Sequence, residues 1–111
     1  MNKNAQKEIN AKVIEMVDLF NEGFEEIDPV KSLRSCTASV HTCVLKATGE
    51  VVYVLKSYNT IIAIISGNVL YDFLRYVYGY TSTSAKHVAK FRDDYLPWSR
   101  TGREELRYYP V

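Results

Sequence analysis

At 111 residues, with 47% hydrophobic and 24% charged side chains, the chain has the size and composition of one globular domain with one core, neither disordered nor fibrous. A formal net charge of +1 argues against a strongly basic nucleic-acid coat and equally against an acidic mimic of DNA. Met1 to Lys31 holds four Lys against seven Asp/Glu and Lys86 to Val111 six Lys/Arg against four Asp/Glu, a modest asymmetry that reads as solvated surface.

The first element is an amphipathic helix. From Ala5 to Phe24 the apolar residues Ile9, Val13, Met16, Val17, Phe20 and Phe24 recur at three- and four-residue steps, forming one stripe that faces the core. Asn4 is placed to cap its start. Glu22-Gly23 is a weak stop, and Phe24 and Ile27 extend the stripe by a further turn before Asp28-Pro29.

Cys36 to Lys46 alternates β-branched and small polar residues and predicts a strand; Ala47-Thr48-Gly49-Glu50 is a turn, and Val51 to Lys56 returns as the second arm of a hairpin. Ser57-Tyr58-Asn59-Thr60 bends the chain into a third strand, Ile61 to Ile65, and Ser66-Gly67-Asn68 turns it into a long or broken fourth, Val69 to Tyr80. A helix over Tyr71 to Tyr78 is the weaker alternative, given the β-branched and aromatic content and Gly79. Thr81-Ser82-Thr83-Ser84 offers N-caps for a second helix, about Ala85 to Leu96, which Pro97 stops.

These elements predict an α+β fold: an N-terminal helix, an antiparallel sheet of about four strands, and a second helix on the same sheet face. Residues 1–97 form the domain. Residues 98–111 form a basic, aromatic arm, ordered only if Trp98, Leu106 or Tyr108 packs back.

Cys36 and Cys43, on one strand, stand about 23 Å apart on opposite faces and cannot bridge each other. With no CxxC, neither a disulfide nor a metal site is expected, and the compartment is reducing. No signal peptide or membrane anchor is visible, since the run Ile61 to Ile65 falls far short of the ~20 residues needed to span a bilayer. The expected location is cytoplasmic.

The pattern Ser57-Tyr58-Asn59-Thr60-x-x-Ala63, followed by Thr81-Ser82-Thr83-Ser84-x-x-His87-x-x-x-Phe91, resembles a small bacteriophage and prophage domain family without an assigned activity. The resemblance covers the second and third quarters of the chain. It implies a viral accessory protein acting in the cytoplasm of a bacterial host cell, with the N-terminal helix and the Arg-rich arm lying outside the matched stretch.

His87, a histidine in the first turns of a helix beside hydroxyls, is the best single candidate for a functional side chain, but an imidazole that pins the helix to the sheet is the stronger reading. A Cys/His hydrolase needs Cys43 or Cys36 beside His87 or His41, an orienting group and an oxyanion site, and the sequence displays ingredients without arrangement. Glu25-Glu26, Asp93-Asp94 and Glu104-Glu105 are adjacent pairs whose side chains diverge. No enzyme activity, cofactor or metal is expected.

Tyrosine is abundant, with nine residues. On a strand, Tyr76, Tyr78 and Tyr80 share one face, where they would stack bases, contact a protein, or lie buried under helices. Together with Trp98, Arg100, Arg103, Arg107, Tyr108 and Tyr109 they make the expected partner-binding set. The expected function is stoichiometric binding to a host protein, inhibiting a defence or nucleic-acid-processing complex, with contact between two copies of the chain as a further use of the tyrosine face. The alternative is a nucleic-acid-binding accessory protein in which Lys86, Lys90, Arg92, Arg100, Arg103 and Arg107 meet phosphates.

Overall fold

The computed structural model describes residues 3–33, 35–77, 82–96 and 104–111, with the backbone alone at 35 and 36. Helix α1 (Lys3–Asn21) ends at Gly23, whose φ of +134° is open to glycine and strained for other residues. A Cβ there would also stand 3.0 Å from the Lys46 side chain. The stripe therefore does not run on: Phe24 opens strand β1 (Phe24–Glu26), and its ring stacks on Phe20 with centroids 4.1 Å apart.

Strands β1 and β2 (Lys31–Leu33) both pair antiparallel with β3 (Ser35–Leu45), β1 at its far end and β2 at its start. Strand β4 (Val51–Ser57) forms the expected hairpin with β3, in register from Val44↔Val51 to Ala38↔Ser57. Strands β5 (Thr60–Ser66) and β6 (Val69–Asp72) continue the meander, and β7 (Glu104–Arg107) joins β6 in parallel. The sheet order is β1-β3-β4-β5-β6-β7, with β2 also on β3.

The class is α+β, with seven strands among the described residues in place of about four. The additional strands β1, β2 and β7 are three or four residues long, too short to display an alternating pattern. The expected long fourth strand stops at Asp72. There the carboxylate Oδ1 accepts the N–H of Leu74 at 3.1 Å, and the chain winds into a single helical turn, α2 (Leu74–Val77). Helix α3 (Ser82–Tyr95) begins three residues ahead of the predicted start.

The two long helices lie on opposite faces of the sheet, which corrects the expectation of a shared face. Val13, Met16 and Phe20 of α1 pack with Cys43, Leu45, Val52, Val54 and Ile64; Val88 and Phe91 of α3 pack with Ala38, Val40, Leu55, Ala63 and Ile65. Along β3, Ala38 and Val40 face α3 whereas Cys43 and Leu45 face α1, the alternation that the pleat requires. The register skips Ile62 between Ala63↔Leu55 and Ile61↔Lys56, and this bulge places both Ile62 and Ala63 on the α3 side. The unbroken run Ile61–Ile65 is the mark of a strand buried on both faces. Among the described residues no helix is long and apolar enough to cross a membrane.

Candidate functional site

With both sheet faces covered, the described tyrosines do not collect on one flank. Tyr53 packs on the α3 side against Tyr95, centroids 5.1 Å apart, and Tyr71 packs on the α1 side. Tyr58 is 67% exposed at the β4–β5 turn. Tyr76 sits on α2, so the expected alternation with Tyr78 and Tyr80 along one strand is overturned at its first member. Tyr78, Tyr80, Trp98, Arg100 and Arg103 lie outside the described residues.

The remaining members of the expected set converge where β7 meets α1, α2 and α3. Leu106 is buried and Tyr108 packs against the α1-side cluster, so this part of the arm is held to the domain. Tyr108 and Tyr76 meet with ring centroids 4.8 Å apart and planes at 46°. On the α3 side, Arg107 Nε donates to Asp72 Oδ2 at 3.2 Å and Nη1 reaches the Tyr109 hydroxyl at 3.5 Å. The Arg75 guanidinium lies 4.7 Å from the Tyr109 ring centroid. Tyr76 is 44% and Tyr109 38% exposed.

Helix α1 holds this strand through two buried polar residues that the apolar stripe did not reveal. Gln6 Nε2 donates to Asn10 Oδ1 at 2.7 Å and to the Arg107 carbonyl at 2.9 Å. Asn10 Nδ2 donates to the Tyr109 carbonyl at 2.6 Å, and the Tyr109 N–H donates back to Asn10 Oδ1 at 3.0 Å. The side-chain amides of Gln6 and Asn10 thus satisfy the carbonyl at the end of β7 and both backbone groups of Tyr109 just past it.

Between α2, α3 and β7 lies a cavity of about 100 Å³. Ala85 and Ala89, one turn apart on α3, leave the space; Asp72, Arg75, Arg92 and Arg107 supply its charge. Burial pushes the Asp72 carboxyl above its ordinary range, opposed by the Leu74 N–H and by Arg107. Arg107 in turn draws the exposed Tyr109 phenol downward. At the rim Arg92 donates through Nε to Asp93 at 3.1 Å and through Nη1 to Glu105 at 3.3 Å.

Comparison of the chain with protein-family models, with curated proteins and with solved structures returns no match. The site is therefore read from its own geometry.

Two other clusters bear on chemistry. Ser39 Oγ and His41 Nε2 stand 2.9 Å apart, and His41 Nδ1 meets Glu26 Oε1 at 2.6 Å, the connectivity of a hydroxyl, a base and an orienting acid. Ser39 is paired on both sides, with Ser32 of β2 and Lys56 of β4, so the local backbone N–H groups are engaged in the ladder rather than aimed at a developing oxyanion. The trio works as a latch between β1 and β3. His87 is buried on α3 beside Ser84, Val88 and Phe91, 3% exposed. Among the described residues no group of three His, Cys, Asp or Glu is arranged to hold a metal ion.

Proposed function

We propose that this protein acts by stoichiometric binding to another protein, through the surface formed by Tyr76, Tyr108 and Tyr109 with Arg75 and Arg107. The observation that carries this reading is the exposure of Tyr109, on a segment whose backbone Gln6 and Asn10 bond, beside the exposed Tyr76, whose ring meets Tyr108 of that segment. Rigid tyrosines with neighbouring arginines bring large amphipathic contact area at low ordering entropy, the composition of interface hot spots. In the setting implied by the resemblance, the chain is a phage-encoded accessory protein in the bacterial cytoplasm, and its target is a host protein of a defence or nucleic-acid-processing complex, which it inhibits.

Three of the basic side chains named for the nucleic-acid alternative are interleaved with carboxylates. Lys90 pairs with Asp94 at 3.1 Å, Arg92 with Asp93 and Glu105, and Arg107 with Asp72. A phosphate backbone needs a continuous cationic track, and these carboxylates interrupt it.

The test is capture from infected-cell lysate with nuclease present, using the parent chain and the variants Tyr76→Ala and Tyr109→Ala, then reconstitution with the purified candidate. A 1:1 complex that each substitution weakens at least tenfold supports the reading. A complex indifferent to both substitutions, or partners lost on nuclease treatment, overturns it.

A further inference from the structure

At the end of the sheet opposite Tyr108 and Tyr109 lies an edge that no described element covers. Strand β1 terminates the order β1-β3-β4-β5-β6-β7, and every residue from Phe24 to Ser32 is exposed. Two of them are large and apolar, Phe24 at 36% and Ile27 at 49% exposure. The direction of the backbone groups follows from the ladder. Lys46 N–H donates to the Gly23 carbonyl and Ile27 N–H to the Thr42 carbonyl, both at 3.0 Å. Residues 23, 25 and 27 therefore bond inward to β3, and the alternation of an antiparallel pair turns the N–H and C=O of Phe24 and Glu26 outward.

We infer that this edge receives an extended segment of a protein partner, laid antiparallel along Phe24 to Ile27 with the side-chain pattern apolar-basic-basic-apolar. The surface is separate from the tyrosine surface proposed above and adds a second point of contact. Backbone groups of Phe24 and Glu26 supply the hydrogen bonds, as in the addition of a strand to any open sheet, and the side chains choose the guest.

That choice is made by charge. Glu22 to Val30 holds four carboxylates and no basic residue. Glu26 is bonded to His41, whereas Glu25 and Asp28 make no ion pair among the described residues. Directly opposite residues of an antiparallel pair share a face, so the guest sets basic side chains against Glu25 and Glu26 and apolar ones against Phe24 and Ile27. A second copy of the chain fits poorly: paired about the same centre, its Glu25 and Glu26 meet the like pair of the first. A nucleic acid is repelled by the sign of the edge. The track is short. Pro29 has no N–H, and the chain rejoins β3 only where Lys31 pairs with Val40.

The experiment titrates the isotopically labelled full chain with the capped hexapeptide Thr-Val-Lys-Lys-Val-Thr and follows the backbone amides. Saturable shifts at Phe24 and Glu26, with Tyr76 and Tyr109 unmoved, support the site. N-methylation of the first Lys and second Val of the peptide, whose N–H groups face β1, should abolish binding, and N-methylation of the first Val and second Lys should leave it. Glu25→Lys, at an exposed position, should weaken binding about tenfold without lowering the thermal midpoint, as attraction becomes repulsion. Equal binding of Thr-Val-Glu-Glu-Val-Thr overturns the inference, as does a response to N-methylation that ignores the alternation. Shifts of the same amides on raising the concentration of the protein alone overturn it in favour of self-association. Because β1 and β7 lie at opposite ends of the sheet, failure here leaves the tyrosine surface standing, and Tyr76→Ala should not alter the peptide titration.

Discussion

The side-chain amide of Asn10 grips the backbone of Tyr109 at both its N–H and its carbonyl, joining the first helix to the segment just past the last strand across 99 residues of sequence. Leucine has nearly the same shape and none of the hydrogen bonds. Asn10→Leu should lower stability by about 1–3 kcal/mol, the penalty of part-buried backbone groups left without a partner. Urea unfolding reads the loss, and amide hydrogen exchange should show it locally, with Tyr109 exchanging faster while the β4 and β5 amides keep their protection.

Asp72 has two jobs that substitution can separate. Asp72→Asn keeps an oxygen for the Leu74 N–H and removes a buried charge, whereas Asp72→Ala removes the cap and should be less stable than Asn by about 1 kcal/mol. The carboxyl is raised in the fold relative to the unfolded chain, with desolvation the chief cause, so the folded state binds its proton more tightly. Its contribution to stability is fully present below the unfolded value and declines as pH rises through the folded one. The difference in unfolding free energy between the parent and Asp72→Asn should therefore shift against the parent between acid and neutral pH.

Cys43 is fully buried against α1, and burial raises its thiol from 9.0 to about 11. The neutral thiol is favoured in the fold; its stabilising share is complete below pH 9 and disappears as pH climbs through about 11. In a Cys36→Ser background, a thiol-directed reagent should react with Cys43 at the rate of unfolding. Rapid modification at neutral pH would contradict the burial.

Tyr58 holds φ at +55° at the β4–β5 turn, a left-handed conformation that tyrosine rarely adopts, while its N–H donates to the Thr37 carbonyl. Asparagine tolerates that region and keeps the N–H. Tyr58→Asn should stabilise the protein by about 0.5–1 kcal/mol, read as a raised thermal midpoint. A lowered midpoint would mean that the exposed ring makes contacts worth more than the strain.

Strands β3 to β5 were legible because alternation and turn residues agree: Gly49 and Gly67 both take positive φ between apolar runs. The fourth strand was overextended because aromatic and β-branched content outweighed one short signal, the capping carboxylate of Asp72 ahead of Leu74. The double-sided sheet was written in Ile61–Ile65, whose lack of polar alternation leaves no face for water. Gln6 and Asn10 sit four residues apart in helical phase with Val13, so extending the stripe toward the N-terminus would have marked them as buried polar groups in need of partners. Arg107 and Tyr109 were singled out by composition alone. Their contacts with Asp72 and Arg75, more than thirty residues earlier, depend on the parallel strand β7, and a four-residue strand carries no readable pairing signal.

Because separate aliphatic clusters sit above and below the same central strands, the molecule has two interiors that share a wall. Lifting α3 would wet Leu55, Ala63 and Ile65 and leave Val52, Val54 and Ile64 dry beneath α1. Opening on the α3 side can then proceed with the Asn10 attachment to the Tyr109 backbone intact.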